Sequence, residues 1–274
     1  MRIVNTIEEL RTARRELAGL AFVPTMGNLH SGHVALFRLA REQAKHVAAS
    51  IFVNRLQFAP HEDFDSYPRT FEDDCARLRA EGVELLFAPD ETVLYPVPQG
   101  FIVEPPAIAN ELEGAFRPRF FHGVSTVVLK LLNCVQPDAA VFGKKDFQQL
   151  MIIRNMVSQL DLPVRIIAGE TVREADGLAL SSRNRFLSAA ERAEAPRLHT
   201  ELLALKARAV AGDTAFETLC ANCMQTLSSA GWKPDYVSVR RRDDLAPARI
   251  GETRLVVLAA ARIGATRLID NLEF

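Results

Sequence analysis

The chain has 274 residues, 48% of them hydrophobic and 24% charged, with a formal net charge of -1. That balance describes a globular protein with one large core, or one ordinary domain plus a small partner. It supplies no basic field for nucleic acid or an anionic membrane surface, and no apolar run is long enough to span a bilayer.

Residues 1–20 mix apolar positions with Glu8, Glu9, Arg11, Arg14, Arg15 and Glu16, so they lack the apolar stretch of a secretory signal. Strands are predicted over 20–23, 47–53, 84–88, 139–142 and 164–167. Several are apolar on successive residues, the pattern of strands covered on both faces. Helices are predicted between them over 32–45, 71–81, 123–135 and 147–160, the last with Leu150, Ile153, Met156, Val157 and Leu160 on one face. Strand–helix alternation predicts an α/β, Rossmann-like doubly wound parallel sheet across residues 1–171. The pattern then changes. Two long helices are expected over 188–211 and 214–230, the second capped by Gly231. Short strands follow at 236–239, 254–258 and 267–269. Residues 172–274 therefore read as a smaller α+β domain placed to close over a cleft as a lid. The four cysteines are Cys75, Cys134, Cys220 and Cys223. Cys220 and Cys223 lack the second half of a zinc motif, so the thiols read as packed and reduced, which suits a cytoplasmic protein.

Four motifs carry chemistry. The first, Met26-Gly27-Asn28-Leu29-His30-Ser31-Gly32-His33, leaves a strand and opens a helix. His30 and His33 share one face of the first turn, and a helix N-terminus there offers amides to a phosphate. Gly27 and Gly32 are expected to let backbone approach a ligand. The bland alternative is a loop with one histidine capping the helix. In the second motif Asn54 and Gln57 leave another strand and suit hydroxyl and carboxylate recognition. Asp63, Asp65 and the pair Asp73 and Asp74 follow. That pair could meet Mg²⁺ or simply favour a helix dipole. The third motif is Gly143-Lys144-Lys145-Asp146 with Gln149. A lysine there can pair with phosphate, while Asp146 and Gln149 could equally form a capping box. The fourth, Leu180-Ser181-Ser182-Arg183, puts hydroxyls and a guanidinium at the domain junction, as a phosphate clamp or as a solvated loop.

In this order and spacing the motifs resemble the pantothenate synthetase (pantoate–β-alanine ligase) family, within the nucleotidyltransferase superfamily that carries His-x-Gly-His. The likeness extends to Leu112-Glu113-Gly114 with Arg117-Pro118, to residues 123–128 and 171–174, and to Thr266-Arg267-Leu268-Ile269-Asp270-Asn271. It implies a ligase that joins pantoate to β-alanine through a pantoyl adenylate, with ATP as substrate and Mg²⁺ as cofactor, working as a cytoplasmic homodimer with no nucleic-acid or membrane partner. Carried over by position, Met26 to His33, Gly143 to Asp146 (Lys144 and Lys145 included), Val172 and Leu180 to Arg183 would bind ATP. His33, His30 and Lys145 would be catalytic, with His33 as proton donor. Gln57, Gln149 and Asn54 would hold substrate, and Asp73 or Asp74 the metal. Lys145 rather than Lys144 aligns with the family lysine. The chain departs from the family pattern at Arg55 (usually Pro), at Arg119-Phe120 (usually Gly-His) and at Lys144 (usually Glu). The first two fall near the expected pantoate pocket and bear on substrate preference and turnover, not on the reaction class. His122 is not expected to replace the missing histidine. A transfer of AMP to a phosphate acceptor would favour more Arg and Lys than the Gln57 and Gln149 pair provides. An RNA-binding module would need a basic face.

Overall fold

The computed structural model describes residues 1–59, 64–65 and 67–274; Asp63 lies outside them. Among these residues six strands form one parallel sheet in the order β1-β4-β3-β2-β5-β6. They are β1 (Arg2–Val4), β2 (Leu20–Thr25), β3 (His46–Ile51), β4 (Leu85–Phe87), β5 (Ala139–Gly143) and β6 (Arg165–Gly169). Helices α1 (Ile7–Arg15), α2 (Ser31–Gln43), α3 (Phe71–Ala80), α4 (Glu91–Leu94), α5 (Glu113–Phe116), α6 (Phe120–Val135) and α7 (Phe147–Gln159) connect them. β2 shows why the apolar runs form interior strands. Its Leu20 and Phe22 enter the core under α6 and α7, while Ala21 and Val23 enter the opposite core under α2 and α3. Each fully buried large side chain such as Phe22 contributes about 1.5–3 kcal/mol.

The remainder of the chain holds α8 (Ala189–Glu194), α9 (Arg197–Val210) and α10 (Phe216–Ser229), then an antiparallel sheet β7-β8-β9 over Lys233–Arg241, Leu255–Ile263 and Thr266–Glu273. The single helix expected over 188–211 is two, because Pro196 interrupts it. Gly231 caps α10 as expected. Its φ is +87°, and the amides of Gly231 and Trp232 return to the carbonyls of Ser228 and Leu227. β1 was not foreseen, since three residues carry no usable period. α1 is secured by a Thr6–Glu9 capping box.

Strand order places the chemistry. From β2 the chain moves outward through β3 and β4, then returns to set β5 against the other side of β2. Ligands in open parallel sheets sit beyond the carboxyl ends of the strands at such a reversal. The antiparallel sheet borders that position. Val256 and Leu258 of β8 pack into the same cluster as Phe120 and Phe121 of α6.

Candidate active site

The loop leaving β2 is held from outside. Asp74, 1% exposed on α3, accepts the amides of Asn28 and Leu29 at 2.8 Å each and the Thr70 hydroxyl at 3.1 Å. Gly27 (φ +82°) and Asn28 (φ +51°) turn the backbone to present those amides. A Cβ on Gly27 would stand 3.0 Å from the Asp74 carboxylate, and one on Gly32 would stand 2.8 Å from the His30 ring. These glycines therefore make room for protein groups, and Gly32 also borders the cleft. The carboxylate pair expected at Mg²⁺ is not assembled for it. Asp74 is spent on the loop and Asp73 is exposed, and neither borders the cleft. Among the described residues no group of three or more His, Cys, Asp and Glu side chains could hold a metal ion.

The two histidines are both caps and cleft residues. The His30 imidazole Nδ1 accepts the Gly32 amide at 3.1 Å, and His33 Nδ1 accepts the His30 amide at 3.2 Å. An amide N–H can only donate, so each Nδ1 is unprotonated and each Nε2 carries the hydrogen. Burial, then the Lys145 charge, lowers the pKa of His30 to about 4. Burial, then His30 and Lys145, lowers that of His33 to about 3. Both rings are thus neutral donors near pH 7. The bland capping reading holds together with a place in the cleft. The Gly32 and His33 amides are already used within the turn, so the imidazoles rather than the helix amides face the cavity.

At the end of β3, Asn54 is 1% exposed and fully engaged. It donates to Gln57 Oε1 and to the Gly123 carbonyl, each at 3.1 Å, and accepts the Tyr95 hydroxyl at 2.8 Å. Asn54 sets Gln57, whose own amide reaches Met26 Sδ at 3.1 Å. At the end of β5 a 3-10 turn, Lys144–Asp146, leads into α7. Asp146 makes no side-chain cap, so the capping-box alternative fails there. Lys145 faces the cleft and Lys144 does not. Lys144 bonds Glu170 at 2.5 Å and Glu273 at 2.6 Å, and although burial opposes its charge, these bonds hold its pKa above the usual lysine value. The fourth wall is a turn in which the Leu180 amide bonds the Val172 carbonyl at 3.0 Å and the Ser181 side chain accepts from the Arg183 amide.

These walls enclose a cavity of about 260 Å³. It brings together Met26, His30, Gly32, His33, Asn54, Gln57, Gly143, Lys145, Asp146, Gln149, Val172 and Leu180 to Arg183. It leaves out Gly27, Asn28, Leu29, Ser31 and Lys144 among the expected ATP contacts. The backbone amides of Asn28 and Leu29 serve Asp74, and Lys144 is turned toward the second sheet. Sequence reasoning missed an apolar wall of Val124, Val127, Val128 and Leu131 on α6, whose spacing reads as ordinary core. It also missed Arg117 as a site residue. That guanidinium lies 3.7 Å over the Phe120 ring and 3.4 Å from the Gln57 carbonyl. Phe120 borders the cavity where the family pattern has histidine, whereas His122 turns away to Glu104 at 3.0 Å.

The pantoate-beta-alanine ligase family model matches residues 2–273. The chain belongs to this family. A pantothenate synthetase from Nitrosospira multiformis is 58% identical over 273 residues, covering 100% of the chain and 98% of that relative. The crystal structure of pantothenate synthetase from Thermus thermophilus superposes with a TM-score of 0.94 at 43% identity, covering 100% of this chain and 99% of the other. A pantoate-beta-alanine ligase from Francisella tularensis, solved as a complex with β-γ ATP and β-alanine, superposes with a TM-score of 0.82 at 34% identity, covering 100% and 97%. The parallel sheet with its smaller antiparallel sheet is the architecture of pantoate-beta-alanine ligases, and the enzyme activity is that of the family: joining pantoate to β-alanine.

Proposed function

We propose that the ligase works through a pantoyl adenylate. A pantoate carboxylate oxygen attacks the α-phosphorus of ATP, the bond to the β-phosphate breaks, and pyrophosphate leaves. The neutral β-alanine amine then attacks the acyl carbon, the nitrogen gives up one proton to solvent, and AMP leaves with the bonding electron pair. One observation carries this reading: His30, His33 and Lys145 meet in one cleft with Gln57, Gln149 and the α6 apolar wall. The imidazole Nε2–H groups and the Lys145 ammonium are donors suited to the charge that builds on a transferring phosphate. The glutamines suit a hydroxyl and a carboxylate, and Val124, Val127 and Val128 suit a branched alkyl body.

Neutral rings change the role expected of His33. With its pKa near 3 it acts here as a hydrogen-bond donor to phosphate oxygen rather than as the source of a proton. Val172 and Leu180 to Arg183 bind the nucleotide from the opposite wall, with residues 172–274 as the lid that excludes water from the anhydride. That ATP and β-alanine are the ligands of the Francisella tularensis enzyme supports both substrates. Mg²⁺ enters this proposal as the counter-ion of the ATP phosphates, held by phosphate oxygen and water; Asp73 and Asp74 do not fit as its protein ligands. We further propose a cytoplasmic homodimer. Among the described residues no helix is long and apolar enough to cross a membrane, and exposed Val97 and Phe101 offer apolar surface for a second copy.

The test is AMP release with pantoate and β-alanine omitted in turn. AMP is expected only with both, together with a pantoate-dependent exchange of pyrophosphate into ATP. The His33→Asn variant keeps an acceptor for the His30 amide and loses the Nε2 donor, so it should lose on the order of 10²-fold in turnover. Absence of AMP with every substrate present, or full turnover in the variant, would refute the assignment.

A further inference from the structure

The motif Thr266 to Asn271 is not explained by contact with substrate, yet Thr266, Asp270 and Asn271 are buried. β9 has two faces. Leu268 packs into the core of α9 and α10, and Asp270 shares that face with His199 of α9, whose ring nitrogen stands 3.3 Å away. The other face carries Arg267, Asn271 and Glu273, and each reaches the parallel-sheet part of the chain. Arg267 bonds Glu113 at 2.7 Å, Glu273 bonds Lys144, and the Asn271 amide nitrogen donates to the carbonyls of both Lys144 and Lys145 at 2.9 Å each.

An amide NH₂ is the group that can give two hydrogens in one plane to neighbouring carbonyls. Asn271 is 6% exposed, and its own backbone is held in turn. Its amide donates to Asp270 at 2.7 Å, and Asp270 grips Arg173 through both oxygens at 2.7 and 2.8 Å. Arg173 adjoins Val172, so one short strand end ties the lysine wall to the opposite wall.

We propose that Asn271 is a positioning residue for the ligase reaction, fixing the backbone of Lys144 and Lys145 so that the Lys145 ammonium stands beside His30 and His33. This rests on the reading of Lys145 as a phosphate donor. A displacement of about 1 Å in such a group costs on the order of 10²-fold in rate. Asn271→Ala should therefore lower turnover by 10-fold to 10²-fold with the KM for β-alanine unchanged. If Asn271 acts through Lys145, the double variant Lys145→Ala/Asn271→Ala is within about 2-fold of Lys145→Ala alone. A merely structural role would multiply the two losses, and that result, or normal turnover in Asn271→Ala, would overturn the proposal. Should Asn271→Ala fail to fold, Asn271→Ser enters the same cycle. NMR titration of His30 reads the same positioning without the reaction. Its pKa should rise in Asn271→Ala in the direction seen for Lys145→Ala, with no further rise in the double variant. An unchanged His30 titration in Asn271→Ala overturns the proposal even if the protein makes no AMP, an outcome that would separately remove the adenylate reading.

Discussion

His30 and His33 satisfy two demands with one ring each. Nδ1 closes the start of α2, which leaves Nε2–H for the cavity. The dual use has a consequence in acid. In the unfolded chain a histidine titrates near pH 6.5, but the folded values are about 4 and about 3. Below pH 6.5 the unfolded state takes up protons that the native state refuses, so stability falls as pH falls. The loss continues to about pH 4 for His30 and pH 3 for His33, with a slope of up to about 1.4 kcal/mol per pH unit for each ring. Above pH 6.5 this contribution is complete and constant. Urea midpoints measured from pH 7 to 4.5 should therefore fall less steeply in His33→Asn than in the unaltered protein. Parallel curves would show that the ring is not buried in its neutral form.

At the scale of elements, the parallel strands and their helices were legible because interior strands are apolar on successive residues and the covering helices keep a 3.6-residue period. The first three cleft motifs were legible because each leaves a strand end, and the fourth because it lies at the domain junction. What escaped has a physical reason in each case. β1 is too short for a pattern, and the helix after residue 188 looked continuous because its apolar positions run past Pro196. The apolar cleft wall of α6 uses the same residue types as a core stripe. The roles of Asp74 and Lys144 depend on partners far along the chain, in the β2 loop and in β9. The backbone explains the glycine that the family pattern has at 119, and nothing in the structure explains the arginine. Arg119 caps α6 with φ +64°, the left-handed region that glycine enters freely, and its side chain is exposed. Relief of that conformation is worth about 1–2 kcal/mol, offset in part by the greater freedom of glycine in the unfolded chain. Arg119→Gly should raise the unfolding free energy by about 0.5–1 kcal/mol in urea titration, with the CD spectrum unchanged. A loss of stability would mean that the arginine side chain contributes more than its exposure suggests.

For the molecule as a whole, the reversal of strand order between β2 and β5 decides when a nucleotide site can exist. The donors at residues 30–33 and 145 are neighbours in space but distant along the chain, and the wall at residues 180–183 is further still. Closing such loops comes late relative to local helix formation. ATP, if bound by these walls, is a ligand for the finished native state and not for its precursors. In stopped-flow denaturant experiments, ATP at about 100 times its Kd should slow unfolding by about 100-fold, equivalent to about 2.7 kcal/mol, and leave the refolding rate unchanged. Accelerated refolding would show that the walls assemble early. The expected result makes the nucleotide a guardian of the folded enzyme rather than a guide to its folding, so that cellular ATP would lengthen its lifetime without hastening its birth.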